Sequence, residues 1–324
     1  MTALLAAACS AGAHPAPSAG VSGAVAPTTS TTTPVAAPIG FRQLTFIDRT
    51  RATTPNPPAP SIPSRTLPTL VFYPSDTPAA SDAVENAPVA RSGGPFPLVV
   101  LAHGLSGFPA AYLTLLESWA RAGYVVAAPK FPLTNVTTPG GTRIADYNNQ
   151  PADVSFVITQ LLAANRDPAS PLAGAIDPSH IAAAGHSLGA MTVLGLRNSC
   201  CQDRRISADI VLAGMELVFD FHPFFPPPAV PILFVHGTKD ELVPYSGGRK
   251  AFADAPSPKF FVTLPGGDHV FPYLGSPGTQ QRARVVVDAT IDFLDRYEKG
   301  NQAALTKLAG DATLAGVATI ESSP

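Results

Sequence analysis

Cysteine is nearly absent from this chain of 324 residues: three occur, at Cys9, Cys200 and Cys201. So few thiols exclude a disulfide-stapled miniprotein, and no cysteine spacing matches a zinc site. A chain of this length can bury most of its apolar surface without covalent staples. Charge is also scarce, at 14% of residues, and balanced, with 21 Lys and Arg against 23 Asp and Glu for a net charge of −2. No basic stripe exists to hold a phosphate backbone, so nucleic acid is not expected as a partner. Apolar runs of the ~20 residues needed to span a membrane are missing from the chain beyond its N-terminal region. Tryptophan is reduced to one residue, Trp119. Proline is abundant instead, and its uneven spread marks the organisation of the chain.

Residues 1–9 read Met-Thr-Ala-Leu-Leu-Ala-Ala-Ala-Cys, a short apolar run that ends in small residues and Cys9. This resembles the tail of a bacterial lipoprotein signal, whose cysteine is lipidated after cleavage, although no basic segment precedes it and the run is short. Residues 10–39 are Pro, Thr, Ser, Ala and Gly with hardly any large apolar side chain. Such a segment cannot bury enough surface to fold and has the composition of a tether. The expected organisation is a signal remnant at 1–9, a disordered linker at 10–39 and one folded domain at 40–324. A secreted or envelope-anchored monomer with a lipid on Cys9 is the corresponding expectation. Cys200 and Cys201 are chain neighbours, which leaves two readings open: a vicinal disulfide in an oxidising compartment, or two small buried thiols.

Residues 41–51 and 66–73 read as strands on either side of a proline-rich stretch, and 75–95 as a loop. Residues 97–103, Pro-Leu-Val-Val-Leu-Ala-His, form a continuous apolar run, as expected of a strand buried on both faces. Helical periodicity follows at 110–122 and is closed by Gly123. The pattern then repeats, with strands at 124–128, 180–185, 209–213, 232–235 and 259–264. Helices are expected at 152–165, 188–197, 247–253 and 279–299, and a polar loop at 131–150. Alternating strands and helices with doubly buried strands predict a mainly parallel sheet covered by helices on both faces. Chemistry in such sheets gathers at the carboxyl ends of the strands.

One such end carries Gly185-His186-Ser187-Leu188-Gly189, between an apolar strand and an apolar helix. A serine in that sharp turn exposes its oxygen, and the flanking glycines let strand and helix approach without a Cβ clash. A serine hydroxyl needs a base to take its proton. Three histidines lie downstream, His222, His236 and His269. His236 ends a buried strand and reads as a packed residue, and His222 lies in an aromatic loop that no strand delivers. His269 follows a strand and a glycine turn, which returns it to the serine. Asp240, just beyond the strand at 232–235, is the expected acid, with Glu216 and Asp220 as rivals. Glu241 should point away, and Asp268 should cap its turn. Backbone N–H donors for a developing oxyanion are expected from Leu188 and from Leu105 in His103-Gly-Leu-Ser-Gly107, with Ser106 as fallback for the latter.

Residues 96–274 resemble the α/β-hydrolase superfamily of serine esterases and lipases, on His103-Gly-Leu-Ser-Gly107, the 176–189 segment and the segments of Asp240 and His269. Two bacterial branches are similar: dienelactone-hydrolase-like proteins together with the platelet-activating-factor acetylhydrolase type, and the cutinase-like polyester hydrolases. Dienelactone hydrolases use cysteine where this chain has Ser187, plasma-type acetylhydrolases carry the acid after the preceding strand, and the substrate-clamping tryptophan of polyester hydrolases has no counterpart. The resemblance implies an α/β-hydrolase fold over 40–324 with a short or absent cap, since only about 15 residues separate the strands flanking 214–231. It implies a Ser187–His269–Asp240 triad that needs no metal or cofactor and cleaves short- to medium-chain or polymeric carboxylic esters. A peptidase or thioesterase with the same triad, or a non-catalytic hydrolase-like envelope protein, are the alternatives. Phe219, Phe221, Phe224 and Phe225 line an acyl pocket or touch lipid in one reading and pack over the sheet edge in the other. Asn135, Tyr147 and Asn148 are candidates for the cleft border.

Overall fold

The computed structural model describes residues 37–78, 82–217, 219 and 222–323. Its first strand, β1 (Ile39–Asp48), pairs antiparallel with β2 (Arg65–Pro74) along its whole length, from Ile39 opposite Pro74 to Asp48 opposite Arg65. A two-residue strand, β3 (Val84–Glu85), runs along the outer side of β1. Six parallel strands form the centre of the sheet: β4 (Phe96–Ala102), β5 (Val125–Pro129), β6 (Ile176–His186), β7 (Ala208–Leu212), β8 (Ile232–Gly237) and β9 (Lys259–Leu264). An antiparallel edge strand, β10 (Thr319–Ser323), completes the order β10-β9-β8-β7-β6-β4-β5-β2-β1-β3.

Alternation along each central strand builds two apolar layers. Val99 and Leu101 of β4, Ala182 and Ala184 of β6 and Leu233 and Val235 of β8 face one side. There they meet Leu116 and Trp119 of α1 (Leu113–Arg121) and Val286 and Phe293 of α6 (Gln281–Glu298). Leu98 and Val100, Ala183, and Ile232 and Phe234 face the other side. Their partners are α2 (Gln150–Arg166), α3 (Leu188–Gly195) and α4 (Tyr245–Asp254), through Val157, Leu194 and Phe252. This double burial is why β4 carries no polar alternation: all of its residues are buried. Trp119 stands fully inside the first layer, its indole N–H donating to Thr290 Oγ1 at 3.0 Å, away from the strand ends.

The expected elements appear with adjusted bounds. The helix expected at 110–122 opens as a 3₁₀ turn at Pro109–Tyr112, with proline near its start, before α1 begins. β6 starts earlier than expected, at Ile176, which pairs with Phe96 of β4 and whose N–H and C=O are both bonded by the Asn165 side chain at 2.8 Å. The loop at 131–150 contains a second 3₁₀ turn, Ile144–Asn149. Arg65 at the start of β2 is fully buried and bridges Asp146 of that turn and Asp153 of α2, at 2.8 and 2.6 Å. Leaving one buried member of such a cluster unpaired costs about 3–5 kcal/mol, so it pins the turn beside the central strands. Four elements beyond the expected set are β3, inside the stretch expected as a loop, α5 (Phe271–Leu274), α7 (Ala304–Asp311) and β10. No helix among the described residues is long and apolar enough to cross a membrane. Cys9 and the rest of 1–36 lie outside the described residues. Cys200 and Cys201, in the turn after α3, are disulfide-bonded to each other.

Candidate active site

β6 delivers Ser187 at its carboxyl end, where the chain turns at once into α3. Ser187 adopts φ 57° and ψ −123°, a conformation L-residues rarely take, and its N–H is anchored on Leu212 O of β7 at 2.9 Å. The turn is possible because two glycines remove side chains from a backbone-to-backbone contact. A Cβ on Gly185 would lie 2.2 Å from Gly189 O, and one on Gly189 would lie 2.0 Å from Ala102 O in β4.

Two further strand ends bring up partners. Asp240 lies just past β8 and His269 in the loop between β9 and α5. These two loops also touch through backbone, since Lys239 N–H donates to Gly267 O at 2.9 Å and a Cβ on Gly237 would sit 2.3 Å from that same oxygen. The result is a row of three side chains. His269 Nε2 is 2.8 Å from Ser187 Oγ, and His269 Nδ1 is 2.7 Å from Asp240 Oδ2. The other carboxylate oxygen, Oδ1, accepts the N–H groups of Leu242 and Val243 at 3.0 and 2.8 Å. A carboxylate so held keeps one oxygen aimed at His269 Nδ1, which leaves Nε2 bare toward the serine.

The other titratable candidates fall elsewhere. Glu216 pairs with Lys250 Nζ at 3.0 Å, while Asp220 lies outside the described residues. Glu241 is exposed, and Asp268 Oδ1 accepts the N–H groups of Val270 and Phe271, capping the turn. His222 is exposed. His236 does more than pack: its Nε2 is 3.0 Å from Val243 O and 3.2 Å from Asp240 Oδ2. Its ring thus closes the pocket around the carboxylate, a role invisible in a strand-end histidine read from sequence alone. Burial lowers its proton affinity, outweighing the raising effect of Asp240, so it stays neutral.

Beside the serine, neither the Leu105 nor the Leu188 N–H donates to a protein acceptor among the described residues. The Ser106 N–H is committed to Thr134 O at 2.7 Å, which removes it as a donor for an oxyanion. Ser106 itself sits at φ 58°, and His103 is sunk beneath the loop, its Nε2 accepting the Phe131 N–H at 3.1 Å. Burial drives the His103 pKa down to about 4, as needed for a ring nitrogen that must accept.

A cavity of about 570 Å³ opens over Ser187. Leu105, Phe108, Ile144, Met191, Met215 and Leu217 form much of its wall, and no Asp, Glu, Lys or Arg lines it among the described residues. A hollow of about 510 Å³ between α6 and α7 is lined by Arg284, Asp288 and Asp311 and holds no nucleophile–base pair, so chemistry rather than size selects the site. Among the described residues, the phenylalanines of the 219–225 loop do not line the cavity. Phe219 packs edge-on against Tyr147 at 5.1 Å, and Phe224 and Phe225 pack against the core on the α2–α3 face of the sheet, so they neither line the cavity nor cover a sheet edge as the two readings expected. Phe221 lies outside the described residues. Asn135 spends its side chain inside its own loop, Tyr147 packs against the Leu188 and Met191 cluster, and Asn148 is exposed; none lines the cavity.

Comparison with known proteins adds three findings. Residues 64–132 match the family model described as platelet-activating factor acetylhydrolase, isoform II. A 92-residue stretch is 34% identical to the uncharacterized protein YfhR of Salmonella typhi and, equally, to that of Salmonella typhimurium. That stretch is 28% of this chain and spans only 26% of those relatives. A ferulic acid esterase from Streptomyces cinnamoneus superposes with a TM-score of 0.62 at 23% identity, over 84% of this chain and 93% of its own. With the sheet order, the strand-end turn at Ser187 and this superposition in hand, the chain has the α/β-hydrolase fold.

Proposed function

We propose that this chain is a serine hydrolase that cleaves carboxylic esters through an acyl-enzyme. The observation that carries the reading is the row Ser187 Oγ–His269–Asp240, with links of 2.8 and 2.7 Å, at the mouth of an apolar cavity. Ser187 Oγ attacks the ester carbonyl as His269 Nε2 takes its proton, and Asp240 orients the ring and balances the imidazolium. The free N–H groups of Leu105 and Leu188 face the developing oxyanion. His269 then returns the proton to the leaving alcohol, and a water activated by the same nitrogen releases the acid.

An uncharged, apolar wall favours neutral acyl groups of short to medium length, or segments of a polyester, over charged ones. The acetylhydrolase match and the ferulic acid esterase superposition both support esters as the class. We propose export as well: the signal-like 1–9 segment with a lipid site at Cys9 and a tether-like 10–39 agree with a disulfide at Cys200–Cys201, which suits an oxidising compartment.

Mass spectrometry after diisopropyl fluorophosphate treatment should place the adduct on Ser187. Turnover of p-nitrophenyl esters graded by acyl length, methyl ferulate and a polyester film should exceed that of thioesters and peptide anilides. An adduct at another residue, or peptide anilides as the preferred class, overturns the proposal.

A further inference from the structure

The residue before the nucleophile, His186, is buried at the floor of the cavity and bonded at both ring nitrogens. Its Nε2 is 2.8 Å from the backbone oxygen of His269, and its Nδ1 is 3.0 Å from Tyr112 Oη. Tyr112 Oη in turn receives the N–H of Gly104 at 3.0 Å. The polarity of this chain is determined link by link. A carbonyl oxygen only accepts, so His186 Nε2 carries the proton. Burial pulls the His186 pKa down to about 3, with the nearby His269 ring adding to the effect. The ring is therefore neutral and its Nδ1 bare. Tyr112 must then donate its hydroxyl proton to Nδ1, which leaves its lone pairs for the Gly104 N–H.

These links join the three segments that the proposed reaction requires. Gly104 precedes Leu105, the oxyanion donor; His186 precedes Ser187; and the acceptor is the backbone of His269. The loop also rests on the nucleophile itself, because a Cβ on Gly104 would lie 3.1 Å from Ser187 Cβ. Tyr273 clamps the His186 ring from another side, with centroids 4.8 Å apart, and the His269 ring lies 4.9 Å away. Tyr112 and His186 both border the cavity, but Tyr112 Oη and both His186 ring nitrogens are committed to protein partners, so both act through others.

We infer that Tyr112 and His186 are positioning residues that fix the oxyanion loop, the nucleophile turn and the base loop at one mutual spacing through a single directional hydrogen-bond chain. The inference rests on the Ser187–His269–Asp240 reading above. Such positioning acts on the transition state more than on substrate binding, and a misplacement of about 1 Å costs on the order of 10²-fold in rate.

The test uses the full chain with Tyr112→Phe, His186→Leu and His186→Gln. We expect Tyr112→Phe and His186→Leu to lower kcat for p-nitrophenyl butyrate by roughly tenfold to hundredfold, with KM within about threefold. His186→Gln should recover most of the loss, because its amide can donate to His269 O while accepting from Tyr112. Thermal melts accompany each variant. Nitrogen-15 NMR of the wild-type His186 ring should show a protonated Nε2 and a bare Nδ1, a readout that stands even where His186→Leu does not fold. Wild-type kcat in a folded Tyr112→Phe, or the opposite ring tautomer, overturns the inference. Fluorophosphonate labelling of the wild type separates the two readings. Labelled Ser187 with unaffected variants sinks only the positioning role, whereas an unlabelled Ser187 sinks the triad and this inference with it.

Discussion

Ser187 is held by its neighbours rather than by its own side chain: the backbone is locked at φ 57° by the Leu212 contact and by two close glycines. Ser187→Ala should therefore melt within a few degrees of the wild type while losing ester turnover by about 10⁴-fold or more, measured on p-nitrophenyl butyrate. Asp240 presents a sharper case. Its Oδ2 receives His269 Nδ1 and lies near His236 Nε2, while Oδ1 receives two backbone N–H groups. In Asp240→Asn the amide keeps an acceptor for the backbone but turns an N–H₂ toward His269, which forces the wrong tautomer. Turnover should fall by about 10⁴-fold, the size seen when the acid of a serine protease triad is changed in this way. Glu216→Gln removes only a contact to Lys250, which is itself largely exposed, and should leave turnover within about tenfold, or roughly 1.4 kcal/mol of barrier. A crippled Glu216→Gln beside a mild Asp240→Asn would mean that the acid is misassigned.

Elements are held together here by close backbone approaches, and glycines mark where they occur. The Gly189 Cβ position lies 2.0 Å from Ala102 O, and the atom it would strike is backbone, which cannot swing aside. Gly189→Ala should destabilise the fold by about 2–3 kcal/mol or prevent it, as overpacking does in a filled core. Gly310, exposed within α7, offers the opposite case: a Cβ there meets nothing within 4 Å. Gly310→Ala should stabilise by up to about 1 kcal/mol through helix propensity, and urea melts of the two variants check both signs. The same contrast explains which elements could be read from sequence. β4 to β9 announce themselves as apolar runs because both faces are covered. β10, Thr-Ile-Glu-Ser-Ser, is an edge strand whose residues are all exposed or half-buried, so it carries no such run. α7 is amphipathic, but it spans only eight residues, one of them a glycine and only Ala304 and Leu308 buried, so its pattern is too short to stand out. The serine and its partners were legible by chain order and strand-end position. Tyr112, His186 and His236 were not, since their roles depend on which backbone oxygens and ring nitrogens the fold brings within 3 Å or so.

Across the whole molecule, buried ionisable groups outside the site tie helices to the sheet, and one of them makes stability depend on pH. Glu298 ends α6 and is almost fully enclosed, with its two oxygens 2.9 and 3.0 Å from Ser207 Oγ at the entry to β7. Burial pushes its pKa from the ordinary 4.5 up to about 7, against the lowering effect of the Ser207 hydrogen bond. Below about pH 4.5 the carboxyl is protonated in both folded and unfolded chains, and its contribution to stability is fully present. Between 4.5 and 7 the unfolded chain gives up the proton while the folded chain keeps it, so stability falls as pH rises, by about 1.4 kcal/mol for each pH unit. Above about 7 both states are ionised and the loss is complete. From pH 5 to pH 8 this one group should account for a loss of about 2–3 kcal/mol. Glu298→Gln cannot ionise, keeps a partner for Ser207, and should be spared that loss. Other groups titrate over the same range, so the quantity to compare is the change in unfolding free energy between the two pH values, wild type against variant. Trp119, the single and fully buried tryptophan, reports unfolding in urea by its fluorescence. Because Glu298 sits far along α6 from the strand ends that carry Ser187 and His269, ester turnover at pH 8 should be unchanged in the variant. Parallel stability profiles for the two proteins would show that Glu298 is ionised in the fold and that its burial is compensated by more than Ser207.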